Sequence, residues 1–333
     1  MIRRVTSRAY YLNATALALI FCSSALWSAA ASATTASPDS VRYVEQAEAS
    51  SRKGDTAAAI IQLKNAVRVD PSNLGARVAL AQLYLQAGEP AAAEQELITA
   101  KFKGYDEAKI LVPLADAYFG QGKFHEVTTK IDASKLQGET RGNLLAVQAR
   151  AYLTLQEIEK SQALLDKALV ETPNLPSVLM ADALLLRATN KYVEAEVQVD
   201  KALAKSANMA EFMLLKGELR ALQNDETGSA KIFNEVIQRY PTLTRAYVAR
   251  AMSRLARNDM TAVSQDVTYI LAHEPENPLG LYMQAYLLTH DNKPKDAVRI
   301  LAAHPQLLAG YAPANYLLAS AALADNRTDM ALA

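Results

Sequence analysis

The chain has 333 residues, half of them hydrophobic, and its 35 Lys plus Arg balance 35 Asp plus Glu. Balanced charge without a basic block argues against nucleic acid as a partner, and the one cysteine, Cys22, rules out an internal disulfide framework. His125, His273, His290 and His304 are scattered, and with no HExxH pair, glycine-rich phosphate loop or GxSxG the chain is expected to be non-enzymatic, without metal or cofactor.

In chain order, residues 1–33 come first and read as a secretory signal: Arg3, Arg4 and Arg8, an apolar stretch from Ala14 to Trp27, then small residues ending in Ala31-Ser32-Ala33. Cleavage there predicts a periplasmic protein without a thiol. The rival is lipidation at Cys22, giving an outer-membrane lipoprotein, but Phe21 is bulky where the lipoprotein peptidase wants a small residue. A retained membrane helix is the third option, and the stretch is short for a span of about 20 residues. Thr34 to Asp39 are expected to form a short flexible lead.

From Ser40 onward one unit repeats. Small residues recur every 34 positions at Ala47, Ala81, Ala115, Ala149, Ala183, Gly217, Ala251, Ala285 and Ala319. A parallel register holds Ala59, Ala93, Val127, Ser161, Ala195, Ser229, Val263, Ala297 and Ala331. Two helices must approach closely along these positions. A third register, Gly54, Gly88, Gly122, Gln156, Asn190, Asn224, Asn258, Asn292 and Asn326, is dominated by residues that tolerate a left-handed backbone, and so predicts the turn between the two helices. Units start at Ser40, Leu74, Ala108, Gly142, Pro176, Ala210, Thr244, Pro278 and Ala312, the last incomplete, with the first helix near positions 2 to 14 and the second near 18 to 31. We expect a single array over residues 40–333, since one helix pair cannot bury its apolar face alone. The ninth unit stops without a capping helix, so the expectation is a fragment of a longer chain, the alternative being an open end that docks on a partner or on itself.

These registers resemble the tetratricopeptide repeat, whose eighth and twentieth positions are small and whose end often carries Pro, as Pro71, Pro173, Pro241 and Pro275 do here. The resemblance implies an all-α, right-handed superhelical solenoid of about nine repeats. The first three units also resemble the N-terminal part of the PrsT tetratricopeptide proteins encoded with the exosortase and PEP-CTERM system. The wording that carries this runs Ala59-Ile60-Ile61-Gln62-Leu63-Lys64-Asn65-Ala66, then Gly88-Glu89-Pro90-Ala91-Ala92-Ala93-Glu94, then Lys103-Gly104-Tyr105 and Pro113-Leu114-Ala115. That family implies a place in exopolysaccharide production or surface-protein sorting in Gram-negative envelopes.

The repeat class lines its concave wall with the second, fifth, ninth and twelfth positions of the first helix. Here the resemblance nominates Gln82, Asp116, Phe119, Arg150, Met180, Arg187, Glu218, Arg245, Tyr282 and Tyr286 as the partner groove. Arg150 or Arg187 is expected to meet a partner's carboxylate; the plain alternative for any of these residues is packing between repeats or pairing with nearby carboxylates. A clamp for acidic tails is rejected, because Val44 and Glu48 stand where such clamps carry Lys and Asn. The expected function is an exported scaffold for an envelope protein. The alternatives are the substrate-binding arm of a larger enzyme and a direct polysaccharide-binding module using Tyr282 and Tyr286.

Overall fold

The computed structural model describes residues 36–134, 136–205, 210–305, 307 and 311–325. The expected signal with Cys22, and Asn326 and Ala331 of the ninth repeat, lie outside them. Among the described residues there are 17 helices and no strand. The first helices of successive repeats are α1 (Pro38–Arg52), α3 (Leu74–Gln86), α5 (Glu107–Gly120), α7 (Gly138–Thr154), α9 (Pro176–Ala188), α11 (Ala210–Leu222), α13 (Thr244–Ala256), α15 (Pro278–His290) and α17 (Ala312–Ala324). The second helices are α2 (Thr56–Val69), α4 (Pro90–Phe102), α6 (Phe124–Thr129), α8 (Ile158–Glu171), α10 (Tyr192–Lys205), α12 (Glu226–Arg239), α14 (Met260–His273) and α16 (Pro294–Ala303).

Local chemistry sets these boundaries. Asp55, Asn73, Asp225, Asp259 and Asn277 each cap a helix by accepting the backbone N–H three residues on. Between paired helices, every described member of the turn register has a left-handed backbone, with φ from 59° at Asn292 to 77° at Gly54. The following residue then donates its N–H five residues back, as from Glu89 to the Tyr84 carbonyl at 2.8 Å, which closes the first helix. Gln156 obeys the same geometry with φ 63° although its side chain does not favour it.

The two small-residue registers meet as expected. Ala47, Ala81, Ala115, Ala149, Ala183, Ala251 and Ala285 are fully buried, and so are Ala59, Ala93, Val127, Ala195, Ser229, Val263 and Ala297. A Cβ on Gly217 would come within 2.5 Å of the Phe233 ring, so glycine is the only residue that fits this helix pair as packed.

Two repeats depart from the expected lengths. In the third, α6 has only 6 residues; Asp132 then accepts the Ser134 N–H at 2.8 Å in a tight turn. The chain regains helix at Gly138, four residues before the expected unit start at Gly142. Buried Gln148 on α7 donates to the Val127 and Ile131 carbonyls at 3.2 and 2.8 Å, satisfying acceptors that a longer α6 would have used. In the eighth repeat α16 stops at Ala303, just before Pro305, and His304 Nδ1 donates to the Ile300 carbonyl at 2.7 Å.

The described residues form two compact units, one up to Thr189 and one from Asn190 onward, and the boundary falls in the turn of the fifth repeat. In the first unit, Leu63, Leu97, Ile110 and Leu144 belong to one continuous core. In the second, Phe233 and Val236 centre one cluster and Ile270, Met283 and Leu301 another. Within the first unit α3 touches α5, α5 touches α7 and α7 touches α9, whereas the second helices of successive repeats scarcely meet. The second unit shows the same with α11 against α13 and α15 against α17. Stacking that is tighter on one side bends the stack, so each unit has the first helices on its inner, concave side.

Candidate functional site

The inner wall of the first unit is built by α1, α3, α5, α7 and α9. On α3, Gln82 is exposed. On α5, Asp116 keeps partial contact with solvent while protein crowds it from all sides, as befits the floor of a concavity. It makes no hydrogen bond or ion pair among the described residues. Burial pushes its carboxyl up to about 7, with the Arg150 charge pulling the other way. Phe119, one turn further along α5, is buried, and the Arg150 guanidinium from α7 lies over its ring at 4.4 Å. On α9, Met180 and Arg187 are buried as well, Arg187 with 8% of its surface exposed.

In the second unit Glu218 on α11 is buried, and Arg245 on α13 is half-buried with its guanidinium 2.6 Å from the Glu211 carboxylate. Tyr282 on α15 is buried at 2% exposure, while Tyr286 is half-buried with its ring 6.4 Å from that of Tyr282. Tyr311, which the repeat register did not nominate, stands edge-on to Tyr282 at 5.0 Å. Burial pushes the Tyr282 phenol up to about 12 and that of Tyr311 higher still. The signal that could have found Tyr311 is weak, since it precedes α17 outside the four wall positions.

The structure therefore brings together Asp116, Phe119 and Arg150 in one unit, and Tyr282 with Tyr286 in the other. The arginines are where expectation and geometry part. With 6% of its surface exposed and its guanidinium stacked on Phe119, Arg150 serves packing between α5 and α7, and Arg187 is equally enclosed. An arginine at these positions fills the space between tightly stacked first helices. Register alone does not distinguish that space from open wall.

Other clusters are structural. Asp266 on α14, almost fully buried, receives Arg250 at 2.6 Å and Arg254 at 2.7 Å from α13. Glu196 on α10 receives Arg220 from α11 at 2.5 Å. Both tie helix to helix, and their partners consume the charge. The rings of Tyr247, Tyr269 and His273 stack in succession at 3.7 and 4.0 Å, and both phenols donate to the Pro241 carbonyl. Among the described residues no group of three or more His, Cys, Asp or Glu could hold a metal ion, and no helix is long and apolar enough to cross a membrane.

Two family models described as tetratricopeptide repeat match the sequence, at residues 52–111 and 180–244. No curated protein matches it. Among solved structures, the chain is similar to a tetratricopeptide repeat protein from Parabacteroides merdae, with 17% identity, 89% of this chain and 100% of that one covered, and a TM-score of 0.49. It is also similar to PilF of Pseudomonas aeruginosa, with 22% identity, 61% and 93% covered, and a TM-score of 0.44. With the family matched in both halves and a 34-residue helix pair kept in step along the described chain, the fold is that of a tetratricopeptide-repeat protein.

Proposed function

We propose that the protein is a non-enzymatic, exported scaffold whose concave wall holds a protein partner in the cell envelope, in machinery for exopolysaccharide assembly or surface-protein sorting. Repeats of this fold generally serve protein–protein interaction. The observation that carries the reading here is the inner wall of the first unit, where an exposed amide (Gln82) and a half-buried carboxyl (Asp116) stand beside apolar side chains. A solvated polar group beside apolar floor offers a partner both area and orientation. Export rests on Arg3, Arg4, Arg8 and the apolar stretch that follows, and the envelope role on the PrsT-like wording of the first three repeats.

The test is photocrosslinking in intact cells of the native host. A crosslinker at Gln82 on the wall is compared with one at Phe102, which is 91% exposed on the second helix of the same repeat. The reading expects a discrete envelope-protein adduct from position 82 and none from position 102, on a chain recovered from the periplasmic fraction. Identical adducts at both positions, or recovery only from the cytoplasm, would refute it.

A further inference from the structure

Three successive first helices in the first unit carry the same pair of residues at the fifth and ninth positions of their repeats. The fifth is valine each time: Val44, Val78 and Val112. The ninth is a hydrogen-bond acceptor each time: Glu48, Gln82 and Asp116. Four residues apart on a helix is one turn, so each pair lies on one face. The fifth and ninth positions are among those with which the repeat class lines its concave wall, and within this stretch α3 meets α5 and α5 meets α7. Val44 and Val112 are half-buried, Val78 is buried, and Gln82 is open to solvent.

Among the described residues no cation is firmly committed to this row. Arg52 approaches Glu48 only to 3.8 Å and is itself 72% exposed, a contact that solvent screens and a ligand can displace. Arg150, the next residue at the ninth position, closes the row at its far end. Its charge reaches Asp116, but its guanidinium is seated over Phe119. Lys109, at the second position of the third repeat, is exposed, and Glu45 beside the first pair is exposed too. The row thus keeps unspent acceptor capacity next to an apolar strip.

We infer that this stretch of wall takes an extended, basic peptide segment, its apolar side chains along Val44, Val78 and Val112 and its Lys or Arg side chains at Glu48, Gln82 and Asp116. The inference rests on the scaffold reading and names the chemistry of the partner. Neighbouring first helices stand about 8–10 Å apart and an extended chain advances about 3.3 Å per residue, so one repeat corresponds to roughly three residues of ligand. A matching segment therefore offers a basic and an apolar side chain about once every three residues. The preference is opposite to that of an acidic-tail clamp, which carries Lys and Asn where this wall begins with Val44 and Glu48.

The experiment uses the full chain, immobilised, with a random library of peptides about twelve residues long, enough to cross three or four repeats. Captured peptides should be enriched in Lys and Arg at that spacing. Measured at pH 8, where the raised Asp116 carboxyl is mostly ionised, Asp116→Asn, which keeps the shape and removes the charge, should weaken the best peptide about tenfold or more, and Asp116→Glu should retain most of the binding. Gln82→Lys, at an exposed position that the fold does not need, should weaken it as well and guards against a misfolded Asp116 variant. Enrichment in acidic or uncharged peptides, indifference to both substitutions, or no captured peptide overturns the inference. A position-82 crosslink to a partner without such a basic segment would also sink it, while leaving the scaffold reading intact.

Discussion

A single oxygen has opposite effects at the same place in two repeats. Ser161 and Ser229 both occupy the close contact between paired helices and both are buried. Ser161 Oγ donates to the Ala149 carbonyl at 2.9 Å, whereas Ser229 Oγ has no partner among the described residues. A buried hydroxyl without a partner costs about 1–3 kcal/mol, and one that is bonded contributes about 1. Ser229→Ala should therefore stabilise the protein by about 1 kcal/mol and Ser161→Ala should destabilise it by about as much. Urea unfolding of the two variants checks this, and a loss of stability in Ser229→Ala would contradict it. The sequence announced that both sites must be small. Which serine finds an acceptor depends on tenths of an ångström between helices, to which a residue alphabet is blind. The same blindness hides the stacking of the Arg150 guanidinium on Phe119.

At the scale of the helix pair, glycine in the eighth register is explained by its neighbour sixteen positions on. The twenty-fourth position of the repeat is held by Leu63, Leu97, Ile131, Leu165, Val199, Val267 and Leu301, all smaller than the Phe233 that faces Gly217. The ring takes the volume that a methyl group occupies elsewhere, so Gly217→Ala should cost about 1–3 kcal/mol from overpacking. In a Phe233→Leu background that methyl group has room, and the helix preference of Ala over Gly, about 0.5–1 kcal/mol, should make the same change neutral or favourable. A double-mutant cycle measured by thermal unfolding reads the sign change, and additivity of the two substitutions would refute the coupling. The turns were legible because left-handed residues are local choices, whereas two helix starts were not: α1 begins at Pro38, inside the expected flexible lead, and α7 begins at Gly138. The early end of α6 was hidden: the spacing survives it, and the compensating bonds come from Gln148, on the next helix.

At the scale of the molecule, the fixed period was the most legible property, since a stack of identical pairs tolerates no slip without exposing its apolar faces. Its division into two compact units at Thr189 was not, because that boundary falls within a repeat whose residues keep the period. In such an array each repeat leans chiefly on its neighbours, and damage should spread from its origin and fade with distance. Ala81, fully buried between α3 and α4, is where a charge does most harm locally. Ala81→Asp places an unpaired carboxylate there and should cost several kcal/mol, on the order of 3–5, concentrated in the first three repeats. Native-state hydrogen exchange should show lost amide protection over residues 38–120 with little change over residues 244–303, alongside new protease cleavage near Gly88. Uniform loss of protection across both units would mean that the array unfolds as one cooperative body, and the nearest-neighbour account of its stability would have to be given up.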